Sequence, residues 1–246
     1  MPAVETNSMS TPRRTALVTG ASSGIGLAIA RMLVSEGYEV HGIARHFDKN
    51  IDYGFNTIIC DVTDTAKLLT SVSKIDKPEI IVNCAGVGFY GLHENLTLEQ
   101  IKQMVRTNLE APMILTGYFL PSFKREGRGT IINISSVTAY KTNTYGAAYG
   151  AVKSGLSSFS ASLFEEARKH GVKVIEICPD MTNTNLYRNA DFTVDDDPMC
   201  RLDADDVADA VKSALQMSSH SCVTKISIVP QKMRIKRRNV NEDRSE

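Results

Sequence analysis

Cysteine is sparse in this chain, and what there is does not cluster. The five residues, Cys60, Cys84, Cys178, Cys200 and Cys222, show no C-x-x-C spacing. That argues against both a zinc site and a disulfide framework, so no metal centre is expected. Cys60, Cys84 and Cys178 lie in or just after apolar strand-like runs, where a small buried hydrophobe is the default role, and a reducing cytoplasm fits this usage. Net charge is equally lacking: 28 lysines and arginines balance 28 aspartates and glutamates, so no global basic field favours nucleic acid. No apolar run comes near the ~20 residues of a membrane-spanning helix. The first dozen residues, polar and with Pro2 and Pro12, lack the apolar core of a secretion signal and read as a disordered tail, within which Met9 is an alternative start. Internal repeats and low-complexity linkers are absent as well, which points to one domain.

What remains is ample for one core: 246 residues, 42% of them hydrophobic. Short apolar runs alternate with helical patterns from end to end, the signature of a parallel sheet covered on both faces. Strands are expected near 15–19, 38–44, 56–60, 79–83, 130–134, 172–178 and 225–229. Helices are expected over 24–36, 64–73, 97–125, 147–170 and 203–217, the third broken near Ala111-Pro112 because proline lacks an N–H and clashes with the preceding turn. The expected organisation is a tail over 1–12, a doubly wound α/β domain over 13–230 and a charged tail over 231–246. That last stretch is basic from Lys232 to Arg238 and then acidic; an acidic partner or RNA is one reading of it, a solvated tail the preferred one.

Between the first strand and the first helix lies Thr19-Gly20-Ala21-Ser22-Ser23-Gly24-Ile25-Gly26. Three glycines there let the backbone turn tightly and approach a pyrophosphate, which then meets the positive end of the helix dipole. The first two glycines are three residues apart, so this is not the common G-x-G-x-x-G form. Farther on, Tyr149 and Lys153 stand four apart in a helical stretch. Side chains at i and i+4 share one face, so the ammonium can favour the phenolate of a residue whose ordinary pKa, about 10, makes it a poor acid or base near neutrality. Ser136 lies thirteen positions upstream, just after an apolar run.

With Asn83-Cys84-Ala85-Gly86 and Asn108 in order between these motifs, the chain resembles the short-chain dehydrogenase/reductase family in its compact branch, from about Arg13 to about Val229. The resemblance implies a single-domain Rossmann-type doubly wound sheet of about seven parallel strands with helices on both faces. It implies hydride transfer between a nicotinamide and a carbonyl or alcohol carbon, with a small-molecule carbonyl or alcohol as substrate. Tyr149 would serve as acid/base and Ser136 would hold the reacting oxygen, the choice of Ser136 over the adjacent Ser135 resting on the family spacing. Lys153 would lower the Tyr149 pKa and hold the nicotinamide ribose, and Asn108 would hold a water relaying protons to solvent. For the cofactor it implies Gly20, Ser22, Ser23, Gly24, Ile25 and Gly26 at the pyrophosphate, Asp61 and Val62 at the adenine, and Asn83, Ala85 and Gly86 after the fourth strand. Pro179, Thr182 and Thr184 would lie at the nicotinamide, with Asp180 where the family has glycine.

The second strand ends Ala44-Arg45-His46. Ala44 occupies the position of the acidic residue that would accept from a free ribose 2′-hydroxyl, and the Arg45 guanidinium suits a 2′-phosphate; the expected cofactor is therefore NADP(H). A surface pair with Asp48 is the competing reading for Arg45, and a helix cap is the competing reading for Asp61. A mobile lid is expected over 185–203, its acidic run Asp195-Asp196-Asp197 a solvated tip, with Gly88, Phe89, Tyr90 and His93 as an opposite wall. Family habit implies a homodimer or homotetramer through the helices around 97–125 and 147–170. Lys124, Arg125 and Arg128 read as ordinary surface charges rather than a dock for an acidic carrier. A catalytically silent NADP(H)-binding sensor is the alternative from another class, and retention of Ser136, Tyr149 and Lys153 weighs against it.

Overall fold

Each apolar run becomes a strand because its alternate side chains have a layer to enter on either side. The computed structural model describes residues 14–237. Its main sheet is built from β1 (Thr15–Thr19), β2 (Glu39–Ala44), β3 (Asn56–Ile59), β4 (Ile80–Asn83), β5 (Gly129–Ile134), β6 (Val172–Pro179) and β8 (Lys225–Ile228). The order is β3-β2-β1-β4-β5-β6-β8, every pair parallel. Strand order reverses between β1 and β4, which is where doubly wound sheets open a crevice.

Alternation along β1 divides the core. Ala16 and Val18 face a layer made by α1 (Gly24–Ser35) and α6 (Ala204–Leu215), with Ile29, Leu33, Val207 and Val211. Leu17 faces the opposite layer, made by α2 (Thr65–Val72), α4 (Ala111–Glu126) and α5 (Ala147–Ala167), with Leu68, Leu115, Phe119 and Leu163. Each fully buried aliphatic side chain of this kind contributes about 1.5–3 kcal/mol relative to exposure. Capping fixes where helices begin: Thr97 and Gln100 form a capping box at α3 (Leu98–Val105), and Asp203 and Asp206 form another at α6.

The break expected near Pro112 is a π-turn over Arg106–Glu110 that carries α3 on into α4, the wider turn accommodating Pro112, which has no N–H to give the preceding turn. All seven expected strands form, with ends shifted by a residue or two.

The stretch after residue 230 departs from expectation. Instead of a solvated tail, residues 231–237 return across the cleft, and β9 (Ile235–Arg237) pairs antiparallel with β7 (Phe192–Val194) in the lid. Arg234 clamps Asp195 with Nε and Nη2 at 2.8 and 3.0 Å and reaches Asp197, and Lys236 pairs with Asp196 at 2.8 Å. The acidic run is therefore the counterpart of the basic one. The expected tails over 1–12 and from 238 onward lie outside the described residues.

Candidate active site

The cleft of about 750 Å³ opens at the carboxyl ends of β1, β2, β4, β5 and β6 and is roofed by the lid and residues 231–235. Its far end is made by the glycine-rich turn. Gly20 and Ala21 donate to the Ile43 carbonyl at 2.8 and 3.1 Å, so the turn is tied to the end of β2. Gly20 has φ +71, and a Cβ there would lie 2.9 Å from the Ala85 backbone; a Cβ on Gly26 would collide with the Gly20 carbonyl. Close passage of three backbone segments, more than flexibility, demands these glycines. Thr19 completes the junction, its hydroxyl accepting from the Cys84 and Ala85 amides at 3.0 and 3.1 Å.

Gly20, Ser22, Ser23, Gly24, Ile25 and Gly26 all line the cleft around the start of α1, as do Arg45, Asp61, Val62, Ala85, Gly86, Pro179, Thr182 and Thr184. Asp48, the candidate partner of Arg45, instead uses Oδ1 to accept from the Asn50 backbone and side-chain amides. Asp61 accepts from the Thr63 amide and hydroxyl at 2.9 and 2.8 Å, while Asp64 is the residue that caps α2. Helix capping is thus not the role of Asp61. The donor set fits a dinucleotide with a phosphorylated ribose: a helix N-terminus with exposed backbone, two cleft serines, and a cation where an acid would exclude the extra phosphate.

One expectation needs correction. Asn83 lies beneath the cleft, its amide donating to Asn133 at 2.8 Å, and Asn133 donates in turn to Ser160 at 2.8 Å. This buried relay stitches β4 to β5 and α5, because a polar side chain on the inner face of a central strand must find partners there. Asp180, which stands where the family has glycine, needs no left-handed backbone here: among the described residues the one non-glycine with positive φ is Lys77. Its carboxylate accepts from the Met181 amide at 2.8 Å and lies 3.8 Å from the Lys141 ammonium. Asn108, buried in the π-turn, donates to the Val87 and Met104 carbonyls at 2.8 and 2.9 Å and accepts from the Val87 amide at 3.2 Å. Its side-chain amide thus pins the loop after β4.

Ser136, Tyr149 and Lys153 meet at the near end. Ser136 follows β5, and its Oγ accepts from the Thr138 amide at 3.2 Å, which leaves its hydrogen for Tyr149. Ser135 turns the other way, onto the Lys153 carbonyl at 3.4 Å. Burial, then the neighbouring Tyr187, hold the Tyr149 phenol above the ordinary tyrosine range, and hydrogen bonds from Tyr90 and Ser136 pull it back down. Lys153 was expected to do that. Its ammonium sits 5.7 Å from the Tyr149 ring centroid and donates to the Ile134 carbonyl at 2.9 Å. Burial pushes Lys153 down to about 8 against the opposing influence of Cys84, Cys178 and Glu176. The aromatic contacts of Tyr90 and the cleft residues Gln231, Lys232 and Met233 carried no local signal in the sequence.

The fold and this convergence define a Rossmann-type dinucleotide-binding enzyme. The family profile for short chain dehydrogenases matches residues 14–194, and the chain belongs to that family of oxidoreductases. It is 31% identical over 229 residues to an uncharacterized oxidoreductase of Staphylococcus haemolyticus, covering 88% of this chain and 97% of the relative. It is 29% identical to a serine 3-dehydrogenase of Agrobacterium fabrum, over 88% and 93% of the two chains. Among solved structures, a metagenomic short-chain oxidoreductase in complex with NADP is 29% identical with a TM-score of 0.75, covering 88% of this chain and 96% of that one. No helix among the described residues is long and apolar enough to cross a membrane.

Proposed function

We propose that the protein is an NADP(H)-dependent oxidoreductase that interconverts a small carbonyl compound and the corresponding alcohol, with Tyr149 as proton donor and acceptor. The observation that carries this reading is the meeting of Ser136, Tyr149 and Lys153 at one end of a cleft whose other end presents the glycine-rich turn and Arg45. When bound, the nicotinamide supplies or takes up the hydride. Around it, Ser136 would donate to the reacting oxygen and stabilise its developing charge. Tyr149 would give that oxygen its proton in reduction and recover it in oxidation. Lys153, close to neutrality in its titration, would hold the ribose hydroxyls and electrostatically favour the phenolate once turned from Ile134. Arg45 would pair with the 2′-phosphate, a reading in keeping with the NADP held by the metagenomic relative.

The chamber next to Tyr149 is lined by Tyr90, Tyr187, Phe192 and Leu186, which suits a substrate with an apolar body and a single reacting oxygen. A homodimer or homotetramer remains the expected assembly, through the helical segments 98–126 and 147–167. Incubating the protein with NADPH and a panel of ketones and aldehydes tests the reading: loss of NADPH absorbance stoichiometric with one added carbonyl compound is expected. NADPH binding without consumption across the panel would favour a silent sensor instead.

A further inference from the structure

Asp180 is the cleft position to which the cofactor reading gives no part. It follows Pro179 at the end of β6 and is held from several sides. Its amide donates to the Ile228 carbonyl at 2.9 Å, its carbonyl accepts from the Thr182 hydroxyl at 2.9 Å, and its Oδ1 accepts from the Met181 amide at 2.8 Å. The other carboxylate oxygen, Oδ2, has no hydrogen-bond donor among the described residues. Its neighbour is the Lys141 ammonium at 3.8 Å, an ion-pair contact too long for a hydrogen bond.

Both residues line the cleft, Lys141 from the segment after Ser136 and Asp180 from the turn after β6, so the pair spans two walls. The partners are unequal. The Asp180 side chain is 11% exposed and that of Lys141 49%: one charge is fixed in the wall, the other sits on a long stem that can swing into water. The carboxylate is also felt inside the chamber. Burial pushes the Tyr187 phenol up to about 12, and the Asp180 charge adds to that rise.

A carboxylate taken this far out of water is stabilised by full pairing, and a loose contact with a half-exposed lysine is a weak form of it. Other cations of the cleft are turned elsewhere. Arg234 and Lys232 pair with Asp195 and Asp197, Arg188 donates to the Asn185 carbonyl, and Lys153 donates to the Ile134 carbonyl. A compact cation bringing its own N–H donors would reach Oδ2 at hydrogen-bond distance and release Lys141 to solvent. An anion would have to stand beside a fixed carboxylate with a mobile ammonium to offset it.

We propose that Asp180 is a specificity-determining residue that selects substrates carrying a primary ammonium group, its Oδ2 accepting from that group in place of Lys141 while the apolar body lies against Leu186 and Tyr187. The proposal rests on the reading of the cleft as a carbonyl and alcohol site and names the chemistry of its substrate, an amino ketone or the corresponding amino alcohol.

Calorimetry on the NADP-loaded protein at neutral pH compares isopropanolamine and its longer amino-alcohol homologues with the matching neutral diols, and with lactate as the anionic counterpart. The best-fitting amino alcohol should bind at least about tenfold more tightly than its diol, the size of one charge-assisted hydrogen bond, and lactate should bind more weakly than either. Asp180→Asn keeps the shape and an acceptor for the Met181 amide, and should bring amino alcohol and diol to within about twofold of each other. Lys141→Gln removes the competing ammonium and should strengthen amino-alcohol binding. The same order should appear in kcat/KM for NADP-dependent oxidation, with the loss in Asp180→Asn carried by KM.

Equal binding of amino alcohol and diol by the wild type, a preference that survives Asp180→Asn, or binding of no member of the series overturns the proposal. So does a loss in Asp180→Asn confined to NADP relative to NADPH, which would assign the carboxylate to the oxidised nicotinamide ring. An amino-alcohol preference without oxidation of any of these alcohols would instead contradict the proposed reaction and leave the role of Asp180 standing, because the calorimetric comparison needs no turnover.

Discussion

At the residue scale the two ends of the cleft are set by different physics. Arg45 lies exposed at the end of β2, beside a buried Ala44 and with Asp48 occupied by Asn50, so its guanidinium faces solvent until an anion arrives. Arg45→Ala should therefore weaken NADPH by roughly tenfold or more, consistent with about 1.5–3 kcal/mol for a charge-assisted hydrogen bond, and leave NADH nearly unaffected. Fluorescence titrations with both nucleotides check this, and equal losses would remove the 2′-phosphate role. At the other end the groups are buried, and their behaviour depends on which partners fold over them. The pairing of Tyr149 with Lys153 is legible in the sequence because it depends on helical spacing alone. The direction in which the Lys153 ammonium turns is not, because it is set by the carbonyl of Ile134, nineteen residues away along the chain. Asn83 teaches the same lesson: its motif marks the end of a strand correctly, while its side chain is claimed by Asn133 and Thr116 from other elements.

At the element scale, the seven parallel strands and the five expected helical stretches follow from apolar runs long enough to fill two layers. The strap does not. β7 and β9 are three residues each, and Ile235-Lys236-Arg237 has no apolar alternation to announce it. It exists because Arg234 and Lys236 find Asp195 and Asp196 forty residues upstream; the balance of two charge runs is visible in the sequence, but their meeting is a tertiary event. Exposed pairs of this kind are worth ~0–1 kcal/mol each and are screened by salt. Replacing Arg234 and Lys236 together by glutamine should thus leave Tm almost unchanged yet speed amide hydrogen exchange over residues 192–199, as should high salt in the wild type. Exchange in β1, β4 and β5 should not change. Unaltered protection in the lid segment would mean that the strap rests on the lid without holding it.

For the whole molecule, the sheet acts as a rigid shelf. Leu17, Ile43, Ile81 and Ile131 are fully buried from strand to strand, and the buried Asn83–Asn133–Ser160 chain locks β4 and β5 to α5, the helix that carries Tyr149 and Lys153. The lid and strap, by contrast, are held by a pair of three-residue strands and exposed ion pairs, a weaker attachment than the packed sheet. The central claim is that one hydroxyl on that shelf carries the proton. Its most direct test compares wild type with Tyr149→Phe, a change that keeps the ring and removes the oxygen, measuring both NADPH binding and NADPH consumption with a carbonyl compound that the wild type reduces. The account predicts binding within about twofold of wild type and a fall in turnover of at least 10²-fold, as expected for loss of a general acid; turnover preserved in the phenylalanine variant would contradict it.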